Sequence, residues 1–281
     1  MTNVLVQLVV WLNAAANGLG RFLLAPVGVM AGWLSATLIA AATGVLLLIV
    51  FKYTSNQHAI KRVRDGINAN LLALKLFKDS TAVTLQAQGR TILGAFHLMF
   101  LAFVPMLVMA VPVTLLLGQL SLWYQLRPLR TGEDAVLTMR LNGTTRSPWP
   151  DVRLRPTGAA EVVVGPVRVR SKREICWRVK AGESGRHSLV FDVDGQPFDK
   201  ELAVGDGLMR VCTLRPGWQL SDVLLNPGEA PFPPRSPVRS IQIDYPERSS
   251  LTSGTDSWVI YWFVASMIAA LGFRRVLSVQ V

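Results

Sequence analysis

The chain has 281 residues, 51% of them hydrophobic and 17% charged, and its mean hydropathy of +0.36 lies between a soluble globule and a chain built only of membrane spans. The formal net charge of +11 is unevenly spread: residues 127–256 hold 19 Lys+Arg against 16 Asp+Glu, whereas residues 52–90 hold seven basic residues against two acidic ones, Asp65 and Asp79. A basic excess beside an apolar run follows the positive-inside rule and is not the extended basic face of a nucleic-acid binder, so DNA is excluded as a partner.

Residues 1–24 lack the basic start of a secretory leader, Arg21 being the first basic residue. Placed at about 100° per residue, Asn3, Gln7, Asn13, Asn17 and Arg21 gather within roughly a third of the helical circle. This pattern predicts an amphipathic helix lying in the membrane interface, with a fourth, partial span as the alternative. Residues 25–51 contain no charge and predict span 1. Residues 52–91 are basic and helix-friendly, and predict a helical hairpin. Ile60, Val63, Ile67, Leu71 and Leu74 recur at spacings of three and four, flanked by Lys61, Arg62 and Arg64. Thr54-Ser55-Asn56 marks a bend and a helix restart, and "FKDS" marks the turn, with Asp79 or Ser80 as cap.

Residues 92–126 read as one long helix ending in span 2. The first hairpin arm, Lys52 to Lys78, would measure about 40 Å, but the second, Ser80 to Thr91, only about 18 Å. The arms match if the membrane part of span 2 begins near Val104 or Pro105 and the preceding "ILGAFHLMFLAF" pairs with the first arm. Phe96, Met99, Phe100 and Phe103 then lie at or below the interface, with Met106 just inside it, either packed on the hairpin or forming an adaptable apolar surface.

Residues 127–256 change to short alternating runs separated by Gly and Pro: "EDAVLTMRL", "AEVVVG", "PVRVRS", "EICWRVKAG", "HSLVFDVDG", "DKELAVG", "LMRVCTL" and "SIQIDYP". About eight strands in this length predict an all-β, immunoglobulin-like sandwich, with "DVDGQ" as a hairpin turn. Trp177 faces inward with Ile175 and Val179. Cys176 and Cys212 are the only cysteines and a disulfide candidate, although alternation puts Cys176 on the face opposite Trp177. The Pro-rich "NPGEAPFPPRSPVRS" is expected to be irregular and exposed. Residues 257–273 predict span 3, with a buried core helix as the alternative. Residues 274–281 form a short tail starting with Arg274-Arg275. The basic hairpin and this arginine pair agree on sidedness: N-terminus outside, hairpin and C-terminus cytoplasmic, β domain extracytoplasmic (periplasmic, on an inner membrane, in a bacterium).

With "IVFKYTSNQHAIKRVRDGI" leaving span 1 and "VPMLVMAVPVTLLLGQLSLWY", with Pro105 and Pro112, in span 2, the chain resembles the YidC-type insertase superfamily in its minimal three-span form. That form includes the archaeal YidC-like proteins and the insertase subunit of the endoplasmic reticulum membrane complex. The resemblance covers residues 25–126 and 257–281. It implies a membrane chaperone that helps nascent hydrophobic segments enter the bilayer through a polar groove, with the ribosome as a possible further partner. Carried over, Lys61, Arg62 and Arg64 are the hairpin's basic face. Thr37, Thr43, His97, Gln119 and Ser266 are polar candidates in or near the groove; for the threonines and the serine the alternative is ordinary helix–helix contact, the commoner role of such residues, and His97 is expected at the interface. Two departures stand: none of the apolar runs carries the arginine found in many bacterial grooves, and the extracytoplasmic domain lies between spans two and three instead of one and two.

The three histidines, His58, His97 and His187, lack ligand spacing, and the chain shows no nucleophile elbow, phosphate loop or telling carboxylate pair. No cofactor, metal or enzymatic activity is expected. Beside the insertase stand two other readings: a scaffold subunit of an envelope complex that docks a partner through its sandwich, and, more weakly, a transporter accessory.

Overall fold

The computed structural model describes residues 2–24, 26, 28, 30–76, 81–144, 146–250, 252–254, 257–277 and 279. Among these residues six helices and eight strands follow in the order α1 (Thr2–Leu23), α2 (Gly32–Thr54), α3 (Gln57–Leu76), α4 (Thr81–Tyr124), β1 (Asp134–Leu141), β2 (Val152–Leu154), β3 (Ala160–Val169), β4 (Glu174–Ala181), β5 (Gly185–Val193), β6 (Gln196–Val204), β7 (Leu214–Arg215), α5 (Leu220–Leu225), β8 (Val238–Ile243) and α6 (Trp258–Phe273). They form two compact units: residues 1–36 with 115–261, and residues 37–114 with 262–281.

The first unit is organised by strand alternation. In β1, Ala135, Leu137, Met139 and Leu141 are buried while the residues between them are more exposed. In β4, Ile175, Trp177, Val179 and Ala181 are buried in the same way, as expected for Trp177. A five-stranded sheet of order β3-β4-β1-β8-β7 and a three-stranded sheet of order β2-β5-β6 are antiparallel throughout and share one core. Trp177 of one sheet and Phe191 of the other meet with ring centroids 5.4 Å apart. The predicted hairpin is present: Asp194 and Gly195 both have positive φ, 49° and 80°, between the paired residues Val193 and Gln196.

Two strand expectations are corrected. "AEVVVG" and "PVRVRS" are a single strand, β3, whose pairing with β4 shifts register twice around Val163 and Gly165-Pro166. "LMRVCTL" pairs as β7 only at Leu214–Arg215; the preceding residues run irregularly past the end of α4, where the Val211 amide donates to the Leu122 carbonyl at 2.7 Å. The Pro-rich stretch is irregular but not simply exposed. Phe232 is buried edge-on against Phe198, with the Arg215 guanidinium over its ring.

In the second unit, α2 stops at Thr54 and α3 restarts at Gln57, with Asn56 Oδ1 accepting from the Ala59 amide at 3.0 Å. The expected turn at "FKDS", residues 77–80, and its Asp79 or Ser80 cap lie outside the described residues. The apolar stripe of α3 meets α4 as predicted: Ile60 is buried, and a Cβ on Gly94 would stand 2.7 Å from Ile67 Cγ1, so that glycine lets the two helices approach closely. The helices α2 and α6 touch still more tightly. A Cβ on Gly44 would lie 2.1 Å from the Ser266 carbonyl oxygen, and Trp262 Nε1 donates to Thr43 Oγ1 at 2.9 Å. Further along, Lys52 Nζ donates to the Leu277 carbonyl at 2.8 Å. Contacts advancing together along both helices make α2 and α6 parallel, so the hairpin end of α2 and the segment after α6 share one end of this unit.

Among the described residues three helical segments are long and apolar enough to cross a membrane: Asn3–Leu23, Gly32–Thr54 and Pro105–Tyr124. The chain is therefore an integral membrane protein with a helical part and a β domain. The set nevertheless differs from the expected one. The helix α1 has spanning length, whereas α6, with 16 residues, measures about 24 Å against a hydrocarbon core of about 30 Å.

Candidate functional site

Within the helical unit, α2, α4 and α6 enclose an apolar crevice of about 340 Å³ whose lining includes Gly44, Leu48, Phe51, Met109, Trp262 and Met267. Ser266 lines it too, but its hydroxyl is turned back to the Phe263 carbonyl at 2.9 Å. The Thr43 hydroxyl donates to the Ala40 carbonyl at 3.0 Å and accepts from Trp262. Both hydroxyls are buried and satisfied, so they hold helices together. On α4, ahead of its crevice residue Met109, Phe96, Met99, Phe100, Phe103 and Met106 are each more than half exposed. Lys61 and Arg62 are exposed on α3, and Arg64 is half-buried. His97 is exposed and Thr37 half-buried.

Gln119 belongs elsewhere. It is buried in the first unit, and its Nε2 donates to Asn17 Oδ1 at 2.9 Å. Asn17 Nδ2 donates to the Pro227 carbonyl at 2.7 Å, and Asn13 Nδ2 to the Val223 carbonyl at 2.8 Å. Thus two of the five polar-face residues of α1, a helix expected to lie in the membrane interface, are bonded to α5 and the segment after it, and Asn17 also to α4. The predicted groove group Gln119 is a link in that docking and does not join Thr43 and Ser266.

The same unit holds a polar cavity of about 550 Å³ lined by, among others, Arg21, His187, Asp199, Glu201 and Glu229. Apart from Arg21, its ionisable groups have hydrogen-bond or ion-pair partners among the described residues. Lys200 is fully buried; its ammonium donates to the Cys212 carbonyl at 2.7 Å and the Glu201 carbonyl at 3.1 Å, and pairs closely with Glu229. Glu229 also accepts from the Glu201 amide at 3.1 Å. Arg215 Nη1 donates to the Asp199 carbonyl at 2.7 Å, and His187 Nε2 shares a hydrogen bond of 2.9 Å with the Glu183 carbonyl.

Cys176 and Cys212 are both free, which corrects the disulfide candidate. The Cys176 thiol lies on the outward face of β4 beside Thr138 Oγ1 at 3.8 Å, as its alternation required. Cys212 is buried beneath the end of α4, and burial pushes its thiol up to about 12, far from a reactive thiolate.

Sequence reasoning missed Lys200, Glu229 and Arg210. For Lys200 a signal existed: in "FDKEL" alternation gives Phe198, Lys200 and Leu202 one shared inward face. Arg210 and Glu229 sit in irregular segments with no period to read.

Protein-family profiles, curated proteins and solved structures were each compared with this chain, and none matches.

Proposed function

We propose that this protein is a YidC-type membrane insertase or chaperone, a non-enzymatic handler of nascent hydrophobic segments. The observation that carries the reading is the apolar crevice between α2, α4 and α6, together with the exposed Phe96, Met99, Phe100, Phe103 and Met106 on the same α4. Methionine and phenylalanine side chains repack around apolar partners of varied shape, which a handler of many sequences needs. The exposed cations Lys61 and Arg62, with Arg64, stand on the neighbouring helix, where they would meet the polar flanks of a client or the ribosome. In this reading the hairpin and the tail after α6 are cytoplasmic and the β domain is extracytoplasmic. The parallel course of α2 and α6, with Lys52 bonded to Leu277, agrees with both basic ends lying on one side. The crossings of α1 then decide the N-terminus: outside if α1 stays in the interface, on the hairpin side if it crosses.

Proteoliposome insertion tests the arm. Replacing Lys61, Arg62 and Arg64 together by Glu lowers insertion of a single-span client severalfold; insertion equal to wild type would refute the role assigned to the hairpin.

A second reading is supported by β3. It is the edge of the five-stranded sheet, and Val162, Val163, Val164 and Val167 are 41–50% exposed along it. An apolar edge suits a docked partner, as expected of a scaffold subunit whose β domain, immunoglobulin-like in this proposal, recruits an envelope protein. Clients captured in variety favour the first reading; one constant partner held at β3 favours the second.

A further inference from the structure

Arg210 is a buried arginine with no part in the proposed function. It is only 2% exposed, in a segment that sequence periodicity does not organise. Its Nη2 donates to Asn17 Oδ1 at 2.9 Å and to the Gly228 carbonyl at 2.8 Å. Asn17 is in turn held by Gln119, so α1, α4 and the loop after α5 together fix this guanidinium. Its Nε and Nη1 are buried and have no hydrogen-bond partner among the described residues. Leaving charged donors unpaired in a buried place is costly, so their partner is the question the fold poses.

Arg210 lines a cavity of about 280 Å³ together with Arg21, Arg186, Trp123, Leu208 and Met209. Three arginines border it, and no Asp or Glu is among its described lining residues. The nearest described carboxylate partner of Arg186 is Glu201, at a loose 3.9 Å. Glu201 and the other carboxylates lie on the side of the neighbouring polar cavity, so on this cavity's own wall the three like charges face one another, and an anion bound there would relieve them. Guanidinium forks match tetrahedral oxyanions, whose several oxygens can accept from more than one arginine. The remaining wall, Trp123, Leu208 and Met209, is apolar. Arg21 lies in the last turn of α1 and Trp123 in the last turn of α4, both ends of segments able to cross a membrane, where headgroups and aromatic side chains meet.

We infer that Arg210, Arg21 and Arg186 form an anion site for a phosphate group, at the end of α1 and α4. The chemistry is a phosphate oxyanion, carried by a phospholipid headgroup with its chains along the apolar wall, or by free phosphate. This inference is independent of the insertase reading, because it uses none of the hairpin or crevice residues.

The test uses the full-length protein in nanodiscs of phosphatidylcholine with or without phosphatidylglycerol, released into detergent and weighed by native mass spectrometry. Inorganic phosphate is titrated calorimetrically into delipidated protein in parallel. Because Arg210 is buried and its loss can unfold the unit, the decisive variant is Arg21→Gln/Arg186→Gln, whose melting temperature is checked against wild type. Retention of phosphatidylglycerol over phosphatidylcholine, reduced at least tenfold in the double variant, assigns the site to a lipid headgroup. Phosphate binding with no lipid retention, lost in the same variant, assigns it to free phosphate. Binding of neither ligand, or binding that the folded double variant keeps unchanged, overturns the site.

Discussion

In the β domain Leu137, Met139, Ile175 and Phe191 have no exposed surface, while on α4 Phe96, Met99, Phe100 and Phe103 each expose more than half of theirs. The residue types are similar and their environments opposite. The domain satisfies apolar side chains internally, by turning alternate residues of two sheets toward one another. The helical unit leaves them to be covered by something outside the fold, and in water such a row would be an aggregation patch. Polar groups follow the same division. In the helical unit Thr43 and Ser266 close their hydrogen bonds onto local carbonyls or one indole, whereas the β domain affords a fully buried ammonium, Lys200.

The largest effect expected from breaking this contrast is at that ammonium. Glu229→Ala removes the carboxylate from Lys200 and from the Glu201 amide, and should destabilise the β domain by about 3–5 kcal/mol in denaturant unfolding. Adding Lys200→Met to it should restore much of the loss, because the uncompensated buried charge is then gone; a double variant no more stable than Glu229→Ala would show that the pair is not what holds the strand.

In the helical unit steric fit takes the place of charge. Gly44→Val pushes a side chain into the Ser266 carbonyl and should cost about 1–3 kcal/mol, read as a lower melting temperature in detergent. Gly66, inside α3, faces open space. There Gly66→Ala should stabilise by about 0.5–1 kcal/mol, since it only removes backbone freedom from the unfolded chain. Equal responses at the two glycines would erase the distinction between a contact glycine and a dispensable one.

The smallest expected effect is electrostatic and belongs to the base of the β domain. Arg127 donates to both oxygens of Glu133 at 2.8 Å, and the Arg130 amide adds a bond at 2.9 Å. The Arg127 bond above all holds the Glu133 carboxyl down at about 2, below its ordinary 4.5. A folded value below the unfolded one contributes stability above about pH 4.5, which is lost as pH falls toward 2. Being partly exposed, the pair should be worth about 0.2–1 kcal/mol, and Glu133→Gln should flatten that part of the stability–pH curve.

What was legible in the sequence follows the same line between regions. Periodicity exposed β1, β4, β5, β6 and β8, the inward Trp177, the α3 stripe and the break at Thr54-Ser55-Asn56, because each is a local rule with a short period. Three things were not legible. The face carrying Asn13 and Asn17 reads identically whether its partner is water or the carbonyls of Val223 and Pro227. Gly44 carries no pattern that announces a backbone contact with Ser266 more than 200 residues away. Arg210 and Glu229 sit in irregular segments, where only tertiary structure gives a side chain direction. Gln119 was singled out for its polarity in an apolar helix, correctly as an anomaly, but its partner is α1.

The claim on which the functional account rests is that the exposed apolar row and crevice of the helical unit receive hydrophobic segments of other chains. Photo-crosslinking amino acids at Met99 and at Met267, with Gln119 as the buried control, test it in membranes translating a single-span client. The account predicts adducts to the nascent span from Met99 and Met267, shifting with the client's sequence, and none from Gln119. Adducts only to one constant protein, or none from either methionine position in folded protein, would contradict it.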